Sequence, residues 1–172
     1  MKKYNIGIMG AGHIAEKMGH TLQHMERAVA YAVASRDYGK ACDFASRWGF
    51  KIAYGTYDEL LTDPNVDIVY IATPHSFHYE HAQRCLNAGK AVICEKAFTL
   101  NAEEATRLMA LSKKLGVFIT EAMWTRYMPL SAKIKELTHS GVIGQPHTLS
   151  ANLCYPISHK ERLQSPELGG GA

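Results

Sequence analysis

The chain has 172 residues and a mass of 19.1 kDa, enough for one α/β domain with a proper core and too little for two complete ones. Hydrophobic content of 47% against 20% charged residues excludes a disordered tract. A formal net charge of +3, with acidic and basic residues interspersed, gives no electrostatic case for nucleic acid as a partner.

Short apolar runs alternate with amphipathic stretches, the rhythm of βαβ units and a parallel sheet. The first strand is predicted at Tyr4 to Met9, followed by a glycine turn. A helix starts near His13, with Ile14, Met18, Leu22 and Met25 stepping down one face. The second strand is Val29 to Ala34, and a helix crosses Gly39 to Trp48 before Gly49 closes it. Ile52 to Tyr54 is a weak third strand. Asp58 is expected to cap a short helix through Leu61, and Asp63-Pro64-Asn65 makes the turn out. Ile68 to Ala72 is apolar at nearly every position, as a central parallel strand should be, and Thr73-Pro74-His75-Ser76 breaks it. A helix follows from about Phe77 to Ala88, then a buried strand from Ala91 to Cys94. Asn101 with Glu104 three residues on is a capping box opening a helix to Leu115, and Val117 to Thr120 is the sixth strand.

After that the rhythm changes. Pro129 starts a helix ending near Gly141, and Gln145-Pro146 leads into a strand from His147 to Leu153. The last residues, Ser165 to Ala172, contain Pro166 and three consecutive glycines. A domain boundary is expected near Glu121.

The chemistry begins at Gly10-Ala11-Gly12-His13-Ile14-Ala15, a G-x-G-x-x-A after a strand and opening a helix. Gly10 makes the tight turn, Gly12 lets a diphosphate approach the backbone, and small Ala15 lets helix and strand pack closely. The helix start at His13 and Ile14 then offers free N–H groups and a positive dipole to the phosphates. Glycines in this spacing also serve plain turns, but the flanking strand and helix and the further βα units supply the right context. Residues 1–121 therefore read as an α/β, Rossmann-type domain with a doubly wound parallel sheet. Residues 122–172 read as the beginning of an incomplete α+β domain for substrate or dimerisation.

About 20 residues past the glycines, an NAD site usually places a carboxylate against the ribose hydroxyls. Here the second strand ends in Ser35-Arg36-Asp37. Ser35 and Arg36 suit a ribose phosphate, which favours NADP, with Asp37 serving NAD as the other reading.

The run Ala88-Gly89-Lys90-Ala91-Val92-Ile93-Cys94-Glu95-Lys96, with the Gly10 turn, Ile71-Ala72-Thr73-Pro74 and the Asn101 helix, resembles the Gfo/Idh/MocA oxidoreductase family. Glu121-Ala122-Met123-Trp124-Thr125-Arg126-Tyr127 resembles its branch of dimeric dihydrodiol dehydrogenases and NADP-dependent xylose dehydrogenases. The resemblance implies hydride transfer between a nicotinamide cofactor and a hydroxyl of a sugar, polyol or vicinal diol. Lys96 would stand beside the reacting hydroxyl as acid-base and electrostatic catalyst. Thr73, Pro74, His78 and Glu95 would border the cofactor, and Trp124 and Arg126 the substrate. The family motif is Glu-Lys-Pro, whereas this chain has Ala97 after Lys96, a departure that bears on where Lys96 sits. Family chains continue for a similar length again, so an N-terminal fragment is expected. Such a fragment would bind a dinucleotide without turning substrate over, and a non-catalytic dinucleotide-binding module is the competing reading.

His75, His78 and His81 invite a metal reading, but a helix turns about 300° over each three-residue step, and no Cys or carboxylate completes the set. No metal is expected. Cys42, Cys85, Cys94 and Cys154 form no Cys-x-x-Cys pair, which reads as a reduced, cytoplasmic protein, with Cys94 a small buried hydrophobe. The apolar stretch from Ile6 to Met9 is too short for a signal peptide or membrane span. Self-association is expected through the Val142 to Leu153 region, where apolar strand surface would otherwise lie uncovered.

Overall fold

A computed structural model describes residues 2–152, 154, 164 and 165. Its strands are β1 (Tyr4–Met9), β2 (Ala28–Ala34), β3 (Ile52–Tyr54), β4 (Ile68–Ile71), β5 (Ala91–Cys94) and β6 (Ile119–Glu121). All are parallel, in the order β3-β2-β1-β4-β5-β6. The chain order reverses between β1 and β4, where open sheets of this kind bind ligands at the carboxyl ends of their strands. The helices are α1 (His13–Leu22), α2 (Tyr38–Trp48), α3 (Tyr57–Thr62), α4 (His78–Asn87), α5 (Ala102–Leu115) and α6 (Pro129–His139).

The period-two alternation of a strand divides the core into two layers. Ile6, Ile8, Val33, Tyr70 and Ala72 pack with Ala15, Leu22 and Phe44 from α1 and α2. Their chain neighbours Met9, Ala34, Val69, Ile71, Val92 and Cys94 pack on the other face, with Leu60, Ala82, Leu86 and Leu108 from α3, α4 and α5. Both faces of the sheet are covered, which is why its strands read as continuous apolar runs. Each fully buried side chain of this size contributes about 1.5–3 kcal/mol. Two glycines permit the close approach: a Cβ on Gly7 would meet Leu60 at 2.9 Å, and one on Gly19 would meet Trp48 at 2.7 Å.

The expected elements form, with local corrections. Thr56, not Asp58, caps α3, its hydroxyl accepting from the Glu59 amide while the Glu59 carboxylate returns to the Thr56 amide. Thr56-x-x-Glu59 is itself a capping box, so the signal was present in the sequence. The Asn101 side chain caps α5 as expected, but the Glu104 carboxylate reaches the Leu100 amide rather than that of Asn101. β6 begins two residues late, because Gly116 closes α5 in the left-handed region and the Val117 amide is spent on Ser112 O. Residues 75–77 form a separate 3₁₀ turn before α4.

Residues 147–152 form no strand. A strand persists only where a neighbour completes its hydrogen-bond ladder, and among the described residues none pairs with this segment. Leu153 and the glycine tail 166–172 lie outside the described residues. Cys85 and Cys94 are buried free thiols, as a small apolar role for Cys94 requires. Among the described residues no helix is long and apolar enough to cross a membrane.

Candidate dinucleotide-binding site

The glycine turn leaves the carboxyl end of β1. Gly10 has φ +99°, a conformation closed to most side chains, and its amide is tied to Ala34 O at 2.9 Å. A Cβ here would lie 3.1 Å from Ala72 O and 3.2 Å from Thr73 Cγ2, so the turn is seated on the loop that follows β4. Gly12 is different. It is the N-cap of α1 with an extended backbone, no side chain caps this helix, and nothing lies within 4 Å of a Cβ built on it. The space at Gly12 is thus open and no side chain closes the α1 start at His13 and Ile14, whereas α2, α3 and α5 are each closed by a side-chain cap. The His13 ring turns aside to Glu16 at 3.8 Å. An open, uncapped helix start below two glycines fits a diphosphate by charge and by room.

At the end of β2, Ser35 Oγ accepts from the Asp37 amide at 3.2 Å. Asp37 is committed elsewhere: its carboxylate caps α2 by accepting from the Lys40 amide at 3.1 Å and pairs with the Lys40 ammonium at 3.8 Å. Arg36 is exposed, and its guanidinium lies 5.9 Å from the centre of the Phe77 ring.

The loop after β4 is held from within. Thr73 is buried, with Oγ1 3.0 Å from His81 Nδ1, and Pro74 stands exposed at the rim. His78 does not border a cleft. It is fully buried, with Nε2 2.9 Å from Thr73 O and Nδ1 2.7 Å from Ala97 O, so it presents no surface to a cofactor. The ring is a strut between the loops after β4 and β5. A histidine placed four residues before a buried Ala82 reads equally as lining or as support, and only the packing separates the two.

Three further groups fix the loop that carries Lys96. The Tyr70 hydroxyl donates to Glu95 Oε1 at 2.5 Å, and burial, with Glu95 behind it, pushes that phenol well up from its ordinary pKa. Glu121 Oε1 accepts from the Phe98 amide at 2.9 Å, and Cys94 Sγ lies 3.8 Å from Phe98 O. The Lys96–Ala97 peptide is cis. Lys96 itself is exposed, and its ammonium makes no hydrogen bond or ion pair among the described residues. Glu95 is therefore a brace, its other oxygen accepting from the Lys96 amide at 3.3 Å. Sequence reasoning missed Tyr70 and Glu121; a lone phenol in an apolar strand was the available signal for the first.

Trp124 and Arg126 are exposed on a 3₁₀ turn beyond the carboxyl end of β6, next to β5. They lie, like Lys96, past the carboxyl end of a neighbouring strand, and among the described residues no hydrogen bond, ion pair or ring contact joins them to it. The three histidines are engaged separately: His78 and His81 as above, and the His75 ring against that of His78 at 5.4 Å. Among the described residues no three His, Cys, Asp or Glu side chains converge as metal ligands would.

His81 supplies a pH test of this packing. Burial holds its imidazole down from 6.5 to about 4, so the folded chain keeps it neutral where the unfolded chain protonates it. Its contribution is complete above pH 6.5 and is lost as pH falls towards 4. Urea midpoints measured from pH 7 to pH 4 should fall, and His81→Gln should flatten that slope; an unaltered slope would contradict the assignment.

The pattern of the Gfo/Idh/MocA family, described as an oxidoreductase family with an NAD-binding Rossmann fold, matches residues 4–123, and the chain belongs to that family. Among individual proteins it is similar to the NADP-dependent D-xylose 1-dehydrogenase of Hypocrea jecorina, 39% identical over 191 residues, covering 96% of this chain and 48% of that one. It is similar also to trans-1,2-dihydrobenzene-1,2-diol dehydrogenase of Mus musculus, 38% identical, covering 96% of this chain and 50% of that one. The chain thus spans about half the length of the curated relatives it matches. Solved structures agree: an NAD-binding oxidoreductase from Klebsiella pneumoniae superimposes with a TM-score of 0.79 at 30% identity, over 84% of this chain and 40% of that one. A 3-ketoreductase from Actinomadura kijaniata, crystallised with NADP, gives 0.76 at 30% identity, over 83% and 46%.

Proposed function

We propose that these residues form the cofactor-binding part of an enzyme that transfers hydride between NADP and a hydroxyl-bearing carbon of a sugar, polyol or vicinal diol. The observation that carries the reading is that the open helix start after β1, the Thr73 loop after β4 and the exposed Lys96 after β5 lie at the same ends of three neighbouring strands. The amides at Gly12, His13 and Ile14 would hold the diphosphate. Ser35 and Arg36 would meet the ribose phosphate, and the loops of Thr73, Pro74 and Glu95 would wall the nicotinamide end. Bound nicotinamide supplies or accepts the hydride. In the reducing direction the Lys96 ammonium hands its proton to the carbonyl oxygen as the carbon gains hydride; in the oxidising direction the amine takes that proton back. Trp124 and Arg126 would face the substrate from the β6 side, in a second unit beginning near Glu121.

Commitment of Asp37 to the α2 cap supports NADP over NAD, since the carboxylate an NAD site would use is already engaged. Fluorescence titration should show NADPH bound about 10- to 100-fold more tightly than NADH, the range of one or two charge-assisted hydrogen bonds. Arg36→Ala should erase the difference. Equal affinity for both nucleotides in the unmodified chain would overturn the NADP assignment. Self-association and a cytoplasmic setting belong to the same proposal, and exposed Leu130, Ile134, Val142 and Ile143 support the first.

A further inference from the structure

Three aromatic rings gather where the fold needs no aromatic cluster. Phe77 is half-buried in the 3₁₀ turn before α4, and its ring stacks on that of His81, 5.7 Å away and tilted by 20°. Tyr57, the first residue of α3, meets His81 edge-on at 5.0 Å and 75°. His81 cannot swing, because Nδ1 is held to Thr73 Oγ1 at 3.0 Å. The Phe77 ring carries the Arg36 guanidinium 5.9 Å from its centre, and against the rise that burial imposes on the pKa of the Tyr57 phenol, the positive charge of Arg36 draws it down. An exposed arginine thereby lies on a ring whose support descends through His81 to Thr73, on which the Gly10 turn rests.

We propose that Phe77, backed by His81 and Tyr57, is a specificity-determining residue that presents the Arg36 guanidinium to the 2′-phosphate of NADP. The inference rests on the NADP reading above. A free arginine loses most of its rotamer freedom on meeting a phosphate; one already lying on a ring has lost much of it beforehand. A cation over a ring face also keeps its edge N–H groups free for a phosphate. Because the rings and the glycine turn share Thr73, the clamp fixes the spacing between the diphosphate and the 2′-phosphate. Phe77 touches neither, and acts only through Arg36.

The test is titration of the chain with NADPH, NADH and adenosine 2′,5′-bisphosphate, alongside thermal melting. Phe77→Ala is expected to weaken NADPH and the bisphosphate by about five-fold, the range of one exposed cation–ring contact, and to leave NADH unchanged. Phe77→Leu keeps the apolar bulk without a ring face and should lose as much, while Phe77→Tyr should bind as the unmodified chain does. Phe77→Leu with full preference for NADPH, or an equal weakening of NADPH and NADH, overturns the proposal. If Arg36→Ala abolishes the preference while Phe77→Ala and Phe77→Leu keep it, the NADP reading stands and the role of Phe77 fails. If the unmodified chain does not discriminate, both fall.

Discussion

Replacing Lys96 by methionine, in a chain carried on to the length of its relatives, is expected to lower turnover by about 10²- to 10⁴-fold, the usual worth of a positioned acid-base group. Affinity for NADPH should stay within about two-fold, because the ammonium is argued to meet the substrate oxygen and not the phosphates. The substitution is suited to the purpose because the Lys96 side chain is exposed and supports no neighbour, so its loss leaves no buried group unsatisfied. The loop that presents it should also keep its shape, since its fixings come from Tyr70, His78 and Glu121. Stopped-flow measurement of NADPH oxidation, with binding followed separately, would decide the matter. Undiminished turnover would remove Lys96 from the mechanism, and a matching loss of cofactor affinity would make it a binding residue instead.

Gly12→Asp should have an effect of opposite sign on stability and on binding. The position is extended, its Cβ has open space, and it is the N-cap of a helix with no side-chain cap. Aspartate is among the best N-cap residues and its charge suits the helix dipole, so the folded chain should gain about 0.5–1 kcal/mol. The same carboxylate would occupy the amides argued to receive a diphosphate and repel it, at about 4 kcal/mol for unit charges 4 Å apart at an effective dielectric of 20. Dinucleotide affinity should therefore fall by at least about 100-fold while the melting temperature holds or rises. Gly12→Ala, which adds bulk without charge, separates the two causes. A Gly12→Asp chain that binds NADPH normally would place the cofactor somewhere other than this turn.

The sheet was legible because its signals are local and repeated. Apolar runs such as Ile68 to Ile71, closed by Gly10, Thr73 or Glu95, state both the strand and where its carboxyl end lies. Boundaries shifted where two signals competed. Val117 belongs by composition to a strand, yet the end of α5 claims its amide. The site was legible in its backbone parts and less so in its side chains. Gly12, Arg36 and Lys96 are exposed, as ligand-facing groups must be. His78 and Glu95 share the same motifs but are spent on bracing the loops, a distinction made by contacts 19 and 25 residues away along the chain. Residues 147–152 illustrate the opposite limit: a strand expected from sequence does not form without a partner to complete it among the described residues.

Glu121 closes the last strand and also grips Phe98, two residues past Lys96. The end of the sheet is thus coupled to the loop that carries Lys96. Turning the polypeptide about this residue turns the carboxylate that anchors that loop, so the two cannot be adjusted independently.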